Sequence, residues 1–86
     1  MNAVQAAIDG GVFLGKNASS NQSNLGAKLE AAAAKIELNK YDDAVDKLLS
    51  ISATATALAD APKPKLEDAT FINGAVETAI GCVGGL

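Results

Sequence analysis

Apolar residues recur along most of the chain at spacings of three and four, the period at which side chains share one face of an α-helix. The clearest series lies on either side of Asn39 and Lys40. Before this pair it contains Leu25, Leu29, Ala32 and Ile36, and after it Tyr41, Ala44, Leu48, Ile51, Ala55 and Leu58. Because so short a connection holds two amphipathic helices side by side, the pattern predicts an antiparallel helical hairpin.

A third series follows Pro62 and Pro64, which disfavour helix in the residues before them and end the second hairpin helix near residues 58–60. We interpret Gly74, in the middle of this series, as a point of close approach to another helix. The predicted fold is all-α, an antiparallel three-helix bundle over residues 25–86. Its core should contain Leu25, Leu29, Ile36, Tyr41, Val45, Leu48, Ile51, Leu58, Leu66, Ile72, Val76 and Ile80.

The segment at the start of the chain, residues 1–15, predicts a short fourth helix or an arm. Val4 and Ile8 share one helical face. Alternatively, the glycines at Gly10–Gly11 end that helix early, and residues 12–14 dock as an extended arm. The spacing of apolar residues is compatible with both.

A polar segment, residues 16–24, joins the N-terminal segment to the bundle. It is rich in Ser and Asn, a composition typical of a flexible linker or a loop. Ser23 and Asn24 are suitable N-cap residues for the helix that follows, because their side chains accept hydrogen bonds from its first free N–H groups. We therefore expect that helix to begin close to Leu25.

Composition excludes several classes of function. The 86-residue chain has a net charge of −3 and no His, and its seven basic residues are all lysines. Because the chain has no His, it lacks the commonest general base and the commonest transition-metal ligand. Because it has no Arg, it lacks the side chain that binds phosphate and guanine through two parallel hydrogen bonds. We therefore expect no enzyme, cofactor, metal site or nucleic-acid partner, and no small-molecule ligand. The longest apolar run is too short for a membrane span.

Five residues are candidates for a protein interface. Ala31 and Ala34 belong to an all-alanine turn that offers a smooth patch to a partner helix, and Val12 and Phe13 lie on the arm. Cys82 is the only cysteine, so it cannot form an internal disulfide. Free cysteines are usually small buried residues, which is the expectation here. The alternative is an intermolecular disulfide or a thiol attachment point.

The hairpin resembles a known family. The run LGAKLEAA at residues 25–32, the turn NKYDDA at residues 39–44 and Leu48 resemble the FIMAH-type helical module. The resemblance covers residues 25–51 closely and residues 66–83 by pattern. It implies a helical accessory domain, usually C-terminal, of a large secreted bacterial protein, and it brings no catalytic residues. It also favours a secreted or cell-surface location.

The function predicted from these observations is a non-catalytic helical interaction or accessory module of a larger extracellular or cell-surface assembly, with another protein as its partner. The alternative is a small self-assembling structural subunit of a pilus, coat or surface filament, which uses the N-terminal arm and the alanine-rich faces. Removal of residues 1–22 separates the two. It should leave the melting point of an accessory module nearly unchanged, and it should abolish the large species formed by a filament subunit.

Overall fold

The computed structural model describes residues 2–84 and contains four α-helices; Met1, Gly85 and Leu86, at the ends of the predicted segments, lie outside the described residues. Helix α1 spans Asn2–Asp9, α2 spans Ala18–Glu37, α3 spans Tyr41–Asp60 and α4 spans Thr70–Gly84. Helices α2, α3 and α4 form the predicted three-helix bundle, and α1 packs against α2 and α4 as a short fourth helix. The all-α fold class is confirmed.

The turn between α2 and α3 ends the first hairpin helix with a backbone in the left-handed region. Asn39 has φ 60°, a conformation that Asn tolerates better than most residues. The Lys40 N–H donates to the Lys35 carbonyl at 2.8 Å, and the Asn39 N–H donates to the Ile36 carbonyl at 3.0 Å. These two bonds form a Schellman motif, which satisfies carbonyls that the helix end leaves free. The connection contains Leu38 as well as the predicted Asn39 and Lys40, because α2 ends at Glu37 and α3 begins at Tyr41.

The core lies where the four helices meet. Seven of the twelve predicted core residues are buried, and Ile36, Tyr41, Val45, Leu58 and Ile80 pack against the core while partly exposed. Three alanines of the hairpin helices have no exposed surface, which is consistent with close approach of α2 and α3: Ala32, Ala44 and Ala55. The largest fully buried side chains are Ile8, Leu25, Leu48, Ile51, Leu66, Ile72, Val4 and Val76.

The polar segment before the hairpin is helical, so the prediction of a linker or loop there is wrong from Ala18 onward. Helix α2 begins at Ala18 after the N-cap Asn17, seven residues before Leu25, so Ser23 and Asn24 lie inside it. Ala18, Asn21 and Gln22 are half-buried on the face that continues to Leu25. Packing of that face overrides the weak helix propensity of Ser and Asn.

Hydrogen bonds from the Gln22 side chain also favour the early start of α2 at Ala18. The Gln22 side-chain amide donates to the carbonyl of Ile8 at 2.9 Å and to that of Asp9 at 3.3 Å. The last carbonyls of a helix have no partner within the helix, so they need donors from elsewhere. The first turns of α2 therefore cap the end of α1.

Of the two predictions for the N-terminal segment, the structure shows the early helix end followed by an extended arm. Helix α1 ends at Asp9, and residues 12–14 form the arm. The Leu14 N–H donates to the Lys65 carbonyl and the Glu67 N–H donates to the Val12 carbonyl, both at 2.9 Å. Phe13 and Leu66 are thus paired in an antiparallel bridge. Leu66 is fully buried, but it precedes α4 rather than beginning it, because its backbone pairs with the arm.

Side-chain hydrogen bonds join α3 to its two neighbours in the bundle. The Ser52 hydroxyl donates to Asn73 Oδ1 at 2.6 Å, and Asn73 Nδ2 donates to the Thr56 hydroxyl oxygen at 3.1 Å. On the other side, Lys28 Nζ donates to the Ser50 hydroxyl oxygen at 3.0 Å. These directional bonds add to apolar packing and fix the register of α3 against α2 and α4.

Gly74 faces open space, so its interpretation as a point of close approach is wrong. It is exposed, and a Cβ added there meets no heavy atom within 4 Å. We expect Gly74→Ala to raise the free energy of unfolding by about 0.5–1 kcal/mol, because glycine in a helix interior costs conformational entropy. Urea denaturation followed by circular dichroism measures this difference.

Gly11→Ala is the matched control for Gly74→Ala. A Cβ at Gly11 falls 2.8 Å from the Phe13 ring and 3.3 Å from the Ile8 carbonyl oxygen, so the same added methyl group must displace that ring. We expect this variant to be less stable than the wild type. A loss of stability in the Gly74 variant would contradict the assignment of open space there.

Candidate interaction surface

A surface groove of about 520 Å³ lies between α1 and α4, and we refer to it as the α1–α4 groove. Most of its lining is apolar, and alanine and glycine predominate on the α1 side. The residues that line it are Ala3, Ala6, Ala7, Gly10, Gly11, Val12, Glu67, Asp68, Phe71, Ile72 and Ala75.

The groove follows from the pattern of large and small residues on α1. Val4 and Ile8 are buried against the bundle, so the residues beside them on the helix flank the contact with α4. Ala3 and Ala6 occupy that flank, and Gly10, directly after the helix, continues it. Because their side chains extend one carbon or none from the backbone, the space beside the helix stays open.

Phe71 is the most exposed large apolar side chain at the groove. It is 76% exposed, although the next residue, Ile72, is 1% exposed in the core. Val12 is 51% exposed and also lines the groove. Burying a phenylalanine side chain yields about 1.5–3 kcal/mol, so an exposed one beside an apolar groove is a favourable contact for a partner.

The charged residues among the described lining of the groove are both acids, Glu67 and Asp68. Hydrogen bonds from the Thr70 side chain and from the Thr70 backbone N–H hold the pKa of Asp68 below its usual range. The backbone bond, from Thr70 N to Asp68 Oδ1, is 2.8 Å long. Asp68 is therefore an anion at neutral pH, and it lies beside the N-terminus of α4, where a helix favours negative charge.

The Asp68 contact predicts a dependence of stability on pH. Because the pKa is lower in the folded chain, Asp68 contributes stability above its unfolded pKa of about 3.9, and that contribution is lost as the pH falls through the folded value. Asp68→Asn lacks this titration. At neutral pH the wild type should therefore have a higher urea midpoint than Asp68→Asn, and this difference should become smaller as the pH is lowered. A constant difference would contradict the role of the charge.

The candidate residues on the arm have different environments. Val12 lines the α1–α4 groove, whereas Phe13 is half-buried, with its ring against Gly11 and the core. Cys82 is exposed on α4, so the expectation of a buried cysteine is wrong. Its neighbour along the chain, Val83, takes the core position instead and is 5% exposed.

The alanine candidates lie on another surface of the molecule. Ala31 lines a second groove, of about 550 Å³, between α2 and α3, and Ala34 is exposed without lining it. This second groove carries charges of both signs, with Lys28, Lys35 and Lys47 beside Asp43 and Asp46. The five candidates therefore do not form one site.

Sequence reasoning missed the residues that shape the α1–α4 groove. The signal available was the spacing of Ala3, Ala6 and Gly10, which places small residues on one flank of a helix. Phe71 is not among the predicted core residues, but the spacing of apolar residues does not show how exposed it is. Phe71 is exposed because it lies in the first turn of α4, which begins at Thr70, beside Ile72, which takes the buried position.

No family model, curated protein sequence or solved structure matches this chain. Within residues 2–84, the structure contains no group of three or more His, Cys, Asp or Glu side chains arranged to hold a metal ion. In the same part of the chain, no helix is long and apolar enough to cross a membrane.

Proposed function

We propose that this chain is a non-catalytic helical interaction module, an accessory domain of a larger extracellular or cell-surface assembly, and that its partner is another protein. The observation that carries the proposal is the exposed Phe71 beside the apolar α1–α4 groove. Apolar surface that a partner can bury is the main source of free energy in protein association. The resemblance of residues 25–51 to the FIMAH-type module supports the accessory role and the location.

The alternative, a self-assembling subunit of a pilus, coat or filament, is less favoured. It requires an N-terminal arm that can leave its own chain and pair with a neighbour. The apolar residues of this segment are used within the chain instead, with Val4 and Ile8 buried and residues 12–14 bonded to the loop before α4. Releasing the arm would expose both buried side chains and break these bonds.

The solution mass of the full chain, measured by light scattering with and without reductant, tests the proposal. We expect a monomer of 8.6 kDa in both conditions, because an accessory module needs no copy of itself. Large species that persist in reductant would overturn the proposal in favour of self-assembly. A dimer that disappears on reduction would be a disulfide between exposed Cys82 thiols and would leave the reduced module monomeric, as proposed.

A further inference from the structure

We propose that the α1–α4 groove binds a cationic amphipathic helix, a partner segment with an apolar stripe and with lysine or arginine at one end of that stripe. This inference rests on the proposed function and adds to it the class of the partner segment. It is carried by the length and small side chains of the α1 side of the groove, by the exposed aromatic side chain beside it and by the sign of the charges that line it.

The α1 side of the groove is long enough for two turns of a partner helix. That side is formed by a helix of eight residues, about 12 Å or two turns long. A helix that binds in such a groove inserts side chains spaced by three or four residues, and two turns accommodate two or three of these. Ala3, Ala6 and Gly10 carry no long side chains, so a partner backbone can approach α1 closely.

Phe71 supplies the apolar contact that a partner helix needs. Its ring is 76% exposed, next to the lining residues Ile72 and Ala75. Aromatic residues, phenylalanine included, are enriched at protein interfaces relative to the rest of the surface. A bound helix would cover Phe71 on the side that faces the groove.

The charges make the groove selective for a cationic partner. Glu67 and Asp68 are the charged residues among its described lining, and the pKa of Asp68 is held low by Thr70. The whole chain has a net charge of −3, which also attracts cations at longer range. An anionic helix would meet like charges at the acidic end of the groove, which opposes binding.

Binding of synthetic helical peptides to the full chain, followed by fluorescence anisotropy at low salt, tests the inference. The peptides are about 18 residues long, carry a leucine stripe and bear lysines at the N-terminal or the C-terminal end of that stripe. Glu67→Lys is expected to weaken binding of the tighter-binding lysine peptide about tenfold. A third peptide, with glutamates in place of the lysines of that peptide, should bind the Glu67→Lys variant although it does not bind the wild type. Glu67 is exposed, and only its backbone N–H bonds to the arm, so this variant retains the fold.

Two matched variants separate the groove from general effects. Glu77→Lys makes the same change of charge on α4 at an exposed position outside the groove, so it should weaken binding much less than Glu67→Lys does. Phe71→Ala should weaken binding about tenfold, whereas Leu49→Ala, which removes a 52% exposed leucine from α3, should not.

The inference is overturned if no lysine peptide binds, if Glu67→Lys and Glu77→Lys have equal effects, or if Phe71→Ala leaves the Kd unchanged. These failures leave a monomeric interaction module that uses another surface. A different result would be a wild-type chain with the solution mass of an oligomer and a Phe71→Ala variant with the mass of a monomer. In that case a second copy of the chain occupies the groove. That result would overturn both this inference and the proposed function.

Discussion

Replacing Ile8 with alanine is expected to lower the free energy of unfolding by about 2–5 kcal/mol, the usual cost of emptying a buried isoleucine site. Ile8 is 1% exposed and belongs to a core built jointly by all four helices. A domain of this size has a total stability of only about 5–15 kcal/mol, so the loss is a large part of the whole. Urea denaturation followed by circular dichroism measures it.

The control for Ile8→Ala is Leu49→Ala. Leu49 is 52% exposed on α3, so its truncation removes a similar side chain with little loss of packing. Equal effects of the two substitutions would show that α1 does not pack on the bundle.

The packing of α1 on the bundle also revises the expectation for removal of residues 1–22. We now expect that truncation to lower the melting point strongly, because it uncovers the part of the core that Val4 and Ile8 cover.

Leu66→Ala is expected to be as destabilising as Ile8→Ala, about 2–5 kcal/mol, although Leu66 lies in a loop. Its side chain is fully buried and its backbone is bridged to Phe13. The loop is also tied to α3, because the Lys65 N–H donates to the Leu58 carbonyl at 2.9 Å. Loop residues usually tolerate truncation, so a large effect is diagnostic of this burial.

A second measurement distinguishes loss of the Leu66 contact from a general loss of stability. The amides of Leu14 and Glu67 bond across the bridge, so hydrogen exchange at these two sites should accelerate more than exchange within α3. Leu38→Ala, at a leucine that is 62% exposed, is the control for side-chain size. Stability unchanged by Leu66→Ala would contradict the assigned burial.

The sequence was sufficient to predict the hairpin, because there each helix carries a regular apolar stripe and the turn has a residue suited to its backbone. Leu25, Leu48 and Ile51 are buried as the spacing predicts, and Asn39 ends α2. The resemblance to the FIMAH-type module and the function it implies stay predictions. They concern partners, and local periodicity carries no information about partners.

The start of α2 was not predictable from local propensity. Ser and Asn favour loops on their own, and the contact with α1 helps to stabilise the helix that begins at Ala18. That contact includes the bonds from Gln22 to the end of α1. Gln22 is 14 residues from Ile8 and 13 residues from Asp9, so local propensity does not register these bonds. The α1–α4 groove was missed for a related reason, because it exists only once the first and last helices are side by side.

This adjacency of the first and last helices determines the order in which the protein can fold as it is synthesised. Residues 2–9 leave the ribosome before the rest of the described chain, but one side of their binding site is α4, the last of the four described helices to be synthesised. The α2–α3 hairpin has its contacts close in sequence and can form while the chain is still growing. The N-terminal helix must wait for synthesis of residues 70–84, and it then docks in the step that completes the core.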